Sequence, residues 1–394
     1  MISITKLYCG KSGPGDHLRY AWHKSGPASE TGRSSNRKPV VVWNSTKRCN
    51  LNCVHCYASA NNSTDSSELT TEEAQAMIRQ LADYGVPVLL FSGGEPLLRT
   101  DIYENAALAK SLGIRLVLST NGTLITDGVA KRLKDVGFSY VGISLDGIGE
   151  RNDKFRGMTG AFDAARRAFE ACAGVGLRTG LRMTLTQHNH DQLDQVFDFV
   201  ERQGISRVCF YHLVYSGRGS NLLSEDLSHE QTRWAVDLII DRASDYCRRG
   251  FDLEVLTVDN HCDGPFLYMR MQREKSPFLG DVLELLKANG GNSSGVGIAA
   301  IDELGNVHAD QFWRHYSFGN VKQRAFGDIW SDTSDPLLAG LRNRKSLLKG
   351  RCARCKWLDV CNGNLRVRAE AVFGEIWAPD PACYLSDEEI GVTE

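Results

Sequence analysis

No apolar run in this 394-residue chain approaches the roughly 18 residues that a membrane-spanning helix needs, so no membrane span is expected. An excess of charge of one sign is also missing. Lys and Arg total 46 against 48 Asp and Glu, a net charge of −2, so no basic footprint points to nucleic acid. The opening Met1-Ile2-Ser3-Ile4-Thr5-Lys6 lacks the charged and apolar regions of a signal peptide, and a cytoplasmic location is expected. Short-period repeats and low-complexity tracts are absent. What remains, 42% hydrophobic and 24% charged residues, is ordinary for a soluble globular chain of two or three domains.

Cysteine, by contrast, is plentiful. Twelve in a large chain of this kind suggest metal sites rather than disulfides. Cys49, Cys53 and Cys56 form C-x3-C-x2-C, with no fourth cysteine nearby. Four thiolates would close a tetrahedral zinc site or fill all four irons of a [4Fe–4S] cluster. Three leave one metal position open, and an open position is where chemistry happens. Taken alone, the triplet also suits part of a zinc site or a redox pair. A second group is Cys352-Ala353-Arg354-Cys355, then Cys361, then Cys383. Four thiolates saturate a metal centre, so this site is closed, and zinc and iron–sulfur both suit its spacing. Cys9, Cys172, Cys209, Cys247 and Cys262 are scattered; Cys262 lies in a polar loop and its role stays open.

The triplet follows Val40-Val41-Val42-Trp43, which reads as a buried strand. A second strand, beginning at Val86, ends in Ser92-Gly93-Gly94-Glu95-Pro96. Four more apolar runs follow: Leu116–Leu118, Val141–Leu145, Leu181–Thr186 and Val208–Leu213, with helical patterns between them. Thr70-Thr71-Glu72-Glu73 is a capping box that opens one helix, and another is expected from about Ser228 to Cys247. Alternating βα units imply a parallel sheet with right-handed crossovers. Six units rather than eight predict an open partial (β/α)6 barrel. The expected division is an arm over residues 1–38, the barrel over 39–250 and a cysteine-rich unit over 251–394. That last unit holds a hairpin from Val296 to Asp310 and a short helix from Asp335 to Leu348.

The triplet and the Gly-Gly-Glu-Pro segment, in this order, resemble the radical S-adenosylmethionine (SAM) superfamily. The second cysteine group is similar to its SPASM or twitch extensions. A closer resemblance, to the tetrapyrrole branch that trims sirohaem-derived side chains, rests on segments along nearly the whole chain. These include Met1–Gly10, His55 and Tyr57 in the core motif, Asp259-Asn260-His261, Asp310–Tyr316, Cys361–Ala369 and Asp380–Leu385. The usual SPASM cysteine ahead of the hairpin is missing, with Ala299 and Ala300 in that region, which argues for one auxiliary cluster rather than two.

The resemblance implies two [4Fe–4S] clusters, one binding SAM and one auxiliary, and an α/β fold of the radical SAM type. When SAM is cleaved, a 5′-deoxyadenosyl radical abstracts hydrogen. The implied reaction removes two acetate side chains from didecarboxysirohaem to give iron-coproporphyrin. The related branch activity, acting on the same substrate for the haem of a nitrite reductase, is not distinguished by any residue. Gly93, Gly94 and Glu95 are expected at the methionine end of SAM, Ser144 and Asp146 at its ribose, and Arg182 at its carboxylate. A carboxylate-rich, iron-bearing substrate calls for arginine. The candidates are Arg19, Arg218, Arg314, Arg351, Arg366 and Arg368. His261, His308 and His315 are the candidates to ligate substrate iron or donate a proton. An external electron donor is implied as a partner. Two other classes stand beside this reading: a peptide-modifying SPASM enzyme, and a non-catalytic scaffold with two zinc sites.

Overall fold

The computed structural model describes residues 1–20, 38–63, 65 and 67–392. Most of the expected arm, residues 21–37, lies outside the described residues. Its described part is not wholly extended, since Asp16–Tyr20 is a short helix.

Among the described residues, ten strands make one sheet. In chain order they are β1 (Ile2–Ser3), β2 (Val40–Asn44), β3 (Val88–Ser92), β4 (Arg115–Thr120) and β5 (Tyr140–Ser144). Then come β6 (Thr179–Leu185), β7 (Arg207–His212), β8 (Glu254–Val258), β9 (Ile298–Ile301) and β10 (Val307–His308). Their order across the sheet is β1-β8-β7-β6-β5-β4-β3-β2-β9-β10. Neighbours from β2 through β7 pair in parallel, which is the predicted set of six. Two further strands extend the parallel run. β8 lies parallel on β7, and β9 lies parallel on the other flank of β2. The boundary expected at residue 250 therefore falls inside a continuous sheet.

The helices form where local chemistry starts and stops them. Thr70 caps the helix Thr71–Tyr84 by accepting from Glu73 N at 3.2 Å, while Glu73 returns to Thr70 N at 3.0 Å. Ser228 and Gln231 do the same for the helix His229–Arg248. The expected helix from Asp335 ends early, at Arg342, with Asp335 as its N-cap. The hairpin forms as predicted, with β9 and β10 antiparallel.

Alternation along the strands divides the side chains. Val41, Leu89, Leu116, Leu118, Val141, Ile143, Leu181, Met183, Val208 and Phe210 are fully buried in the main apolar core. Their alternating neighbours, among them Val42, Leu90, Ser119, Ser144, Arg182 and Tyr211, turn into the barrel and line its cleft. Room for long side chains there comes from small ones. A Cβ on Gly142 would stand 2.7 Å from Arg182 Cδ, so glycine leaves space for the arginine stem.

At the opposite end of the barrel, the first residue of β8, Glu254, gathers three arginines. Arg207 Nε and Arg178 Nη2 donate to it at 2.7 and 3.0 Å, and Arg19 is its third partner. Arg19, expected at the substrate, is thus at the bottom of the barrel, closing the strand starts.

Candidate active site

The C-terminal ends of the parallel strands open into a cleft with about 1100 Å³ of empty space, part of it open to solvent. In a parallel β/α architecture this is the active end. Cys49, Cys53 and Cys56 all line it, from the loop after β2. They pack with Leu51 and Ala60 in one small cluster. Each sulfur has a donor. Leu51 N and Ala60 N stand 3.4 Å from Cys49 and Cys56 Sγ, and Arg156 Nη1 stands 3.7 Å from Cys53 Sγ. These donors can hydrogen-bond the thiolate form that a metal requires, while burial pushes the Cys49 thiol up to about 12 and that of Cys53 up as well.

Gly93 and Gly94 also line the cleft, but their backbone makes a second demand. Gly94 N donates to Thr46 O at 2.7 Å, and Glu95 N donates to Arg48 O at 2.8 Å. The exit of β3 therefore lies directly on the chain leading into Cys49. A Cβ on Gly94 would fall 2.2 Å from Arg48 O, and one on Gly93, at φ 137°, 2.6 Å from Thr46 O. Gly94→Ala is accordingly expected to push the cysteine loop aside and destabilise the fold by about 1–3 kcal/mol. Its iron content after anaerobic reconstitution should fall, and a normal iron content with a normal melting temperature would contradict this.

Other expected cofactor residues divide. Ser144 and Arg182 line the cleft, and Arg182 Nη1 donates to Ser119 Oγ at 2.7 Å with its guanidinium 4.9 Å above the Tyr211 ring. Four of its five donors have no protein acceptor described, so it faces the cleft with capacity for an anion. Glu95 and Asp146 do not line the cleft; both are fully buried behind its wall. Glu95 accepts from Thr120 Oγ1 and Asn121 N, both at 2.8 Å, and so ties β3 to the end of β4. Burial pushes its carboxyl up to about 7. Asp146 accepts from Thr184 N at 2.7 Å and pairs with Arg156 at 2.5 Å. Arg156 is thereby held against Cys53, and Asp146 is joined to the cysteine loop through that arginine and through His55.

The expected substrate arginines are mostly committed elsewhere. Only Arg218 lines the cleft, and its Nε and Nη1 donate to Cys53 O and Ala60 O at 2.8 and 2.7 Å, clasping the cysteine loop. Arg314 pairs with Glu303 at 2.7 Å. Arg366 donates to the carbonyls of Gly363, Ile376 and Ala378. Arg351 pairs with Asp387 at 3.1 Å. Arg368 is completely buried against Asp380 at 3.0 Å. It also donates to Leu213 O at 3.0 Å and to Asp259 O at 2.7 Å, tying the C-terminal segment to the strand ends.

None of the three expected histidines lines the cleft. His261 stands 3.0 Å from the amino group of Met1. His308 uses both ring nitrogens, on Tyr316 O at 2.7 Å and Asp302 at 3.1 Å. His315 is stacked on Trp313 and bonded to Glu370 at 2.8 Å. The histidines of the cleft are instead His55 and His212. Burial pushes His55 down to about 4, so it is neutral, with Asp146 at 3.5 Å. Its place inside the C-x3-C-x2-C motif was the available signal. Asp259, Gln311 and Phe312 complete the far wall, from beyond β8 and from the hairpin's exit. All three lie in segments that carried the tetrapyrrole-branch resemblance, Asp259-Asn260-His261 and Asp310–Tyr316, where the histidines and Arg314 were singled out instead.

A second cavity, less open than the cleft and with about 390 Å³ of empty space, is walled by Cys352, Cys355, Cys361 and Cys383, and by a fifth cysteine, Cys262. Apolar Pro265, Trp357, Leu358, Leu385 and Ile390 fill the rest of its wall with Gly363, Arg351 and Asn364. Among the described residues, no three His, Cys, Asp or Glu side chains are grouped to hold a single metal ion. Four thiolates on one zinc would stand roughly 4 Å apart. Both cysteine groups instead line cavities, the setting a four-iron cluster needs. The donor sets fit such clusters: three thiols and an open side in the cleft, four or more and a closed wall here.

A parallel barrel with three cysteines and a glycine pair at its mouth is the architecture of a radical SAM enzyme. The model of the radical SAM superfamily matches residues 43–200. Fe-coproporphyrin III synthase of Methanosarcina barkeri is 58% identical over the whole of both chains. Pre-heme d1 synthase of Dinoroseobacter shibae is 42% identical, covering 95% of this chain and 92% of that one. Among solved structures, SuiB of Streptococcus suis bound to S-adenosylmethionine matches with a TM-score of 0.70 at 20% identity, over 88% of this chain and 77% of that one. That likeness is one of fold. The chain belongs to the radical SAM superfamily, in the tetrapyrrole branch that includes the first two relatives.

Proposed function

We propose that the chain removes the two acetate side chains of 12,18-didecarboxysirohaem to form Fe-coproporphyrin III. The full-length 58% identity to Fe-coproporphyrin III synthase carries this reading. The pre-heme d1 type, at 42%, is the second reading. Core chemistry belongs to residues 39–250 and the auxiliary [4Fe–4S] cluster to residues 251–394. An external donor supplies electrons, and the enzyme works in the cytoplasm. Among the described residues no helix is long and apolar enough to cross a membrane.

Bound at Cys49, Cys53 and Cys56, a [4Fe–4S] cluster with SAM supplies a 5′-deoxyadenosyl radical. The protein's own part is placement. Gly93 and Gly94 expose backbone at the cleft wall beside the cysteine loop, where the methionine end of SAM fits. Ser144, at the end of β5, suits the ribose, and Arg182 suits the carboxylate. Phe312 packs edge-on against Tyr57, with ring centres 5.5 Å apart, and closes the cleft between the cysteine loop and the hairpin's exit. The substrate lies on this side, against Asp259, Gln311 and Phe312.

Anaerobic incubation with didecarboxysirohaem, SAM and reductant tests the reaction. A product lacking both acetates is expected; a product that has lost propionates instead would favour the second reading. Arg182→Gln tests the cofactor assignment separately. Removing a charge-assisted pair should weaken SAM binding about tenfold, roughly 1.4 kcal/mol, in equilibrium binding to the reconstituted protein. Unchanged affinity would take Arg182 out of the SAM site.

A further inference from the structure

Five cysteines wall the auxiliary cavity, and a cubane takes four. The surplus thiol is not loosely placed. Two contacts join the loop after β8 to the C-terminal segment. Asn260 Nδ2 donates to Ala382 O at 2.8 Å and Tyr384 OH donates to Asp263 at 2.7 Å, and Cys262 and Cys383, which fall between these contacts along their chains, both wall the cavity. The flanking bonds therefore hold the two cysteine-bearing segments together. Asp263 is further fixed by His212 Nε2 at 2.9 Å. From the other side Asn364 Nδ2 reaches Cys262 Sγ at 3.6 Å and Asn260 Oδ1 at 2.7 Å. Cys262 is 2% exposed, so water does not compete for its S–H.

We propose that Cys262 is not a ligand but a thiol that donates an S–H···S hydrogen bond to the ligand Cys383, and so raises the reduction potential of the auxiliary cluster. The assignment rests on the reading of this cavity as a [4Fe–4S] site. Cys352, Cys355 and Cys361 come from one short stretch and Cys383 from the adjoining one, which leaves Cys262 the odd member. Its sulfur accepts from Asn364, which leaves its S–H available for the Cys383 sulfur on the same cavity wall. A hydrogen bond to a ligating thiolate withdraws negative charge, which favours the more negative, reduced cluster. The same loop carries Asp259, which lines the SAM cleft three residues earlier. Cys262 is thus a positioning residue, acting on the cluster through Cys383.

The test uses reconstituted full-length protein and the variants Cys262→Ala, Cys262→Val and Cys262→Ser. About eight irons per chain are expected in all four proteins. In Ala and Val the auxiliary midpoint potential should fall, so that the reduced-to-oxidised ratio at a fixed potential drops about tenfold, ~59 mV for one electron. Serine keeps an O–H donor and should lie closer to the wild type, whatever Ala and Val do to folding. An unchanged potential in Ala or Val overturns the proposal, as does a serine variant shifted as far as alanine. Loss of about four irons from all three variants would make Cys262 a ligand and also overturn it. Wild-type protein with only four irons, or with zinc in this cavity, would instead defeat the cluster reading itself.

Discussion

Replacing Cys49, Cys53 and Cys56 together with alanine will abolish SAM cleavage and remove about four irons per chain. These are the three cysteines that line the barrel cleft, so no other thiol there can take their place. The loop itself should survive the change. Arg218 clasps it through Cys53 O and Ala60 O, and Gly94 N and Glu95 N hold its approach through Thr46 O and Arg48 O, all by backbone acceptors that alanine keeps. Folding and chemistry are therefore separable in this variant. Far-UV dichroism should be close to wild type while 5′-deoxyadenosine, read by chromatography, falls to background. Persistent 5′-deoxyadenosine formation would refute the assignment of the three thiols.

The double variant Cys352→Ala, Cys355→Ala should show the opposite division. Iron should fall from about eight to about four per chain, SAM cleavage should persist and tetrapyrrole product should be lost. The open side of the cleft site is untouched by these changes, whereas the closed cavity loses two of its walls. Stability should fall as well, since a structural cluster couples to folding. It should not collapse. Trp357, Val360, Tyr384, Leu385 and Ile390 from this segment are buried in the main core, and Arg368 with Asp380 ties the segment to the strand ends. A variant that still binds eight irons, or one that loses SAM cleavage as fully as product, would show these cysteines wrongly assigned.

Much of this was legible in linear sequence because it is local. The six strands β2 to β7, the Thr70 capping box, the hairpin, the cysteine triplet and Cys352, Cys355 and Cys361 each depend on residues within a few positions of one another. β8 escaped notice because its five residues, Glu254–Val258, sit between the charged Asp252 and Asp259 and make no periodic pattern. Long-range pairing decided the rest. Nothing near Arg368 announces Asp380, and nothing near Arg19 announces Glu254, so arginines expected at a carboxylate-rich substrate turn out to be consumed by the protein's own carboxylates. Glu95 and Asp146 follow the same logic. Glu95 follows Gly94 and Asp146 lies two residues past Ser144, but the turns after β3 and β5 send both carboxylates behind the wall. His55 and Cys262 were in view as residues and lacked only their neighbours.

The pairing of β2 with β9 has a consequence for how the molecule is made. β2 is the first strand of the barrel to leave the ribosome, and roughly 250 residues must follow before β9 is available to cover its outer edge. At about 5–20 residues per second, the nascent chain carries that open edge for on the order of 10–50 s. An uncovered strand edge is a template for pairing with other chains. The hairpin that completes the site is therefore also the seal on the barrel. A fragment ending at residue 250 would hold every residue of the SAM-binding loops up to β7 and still present that bare edge to its neighbours.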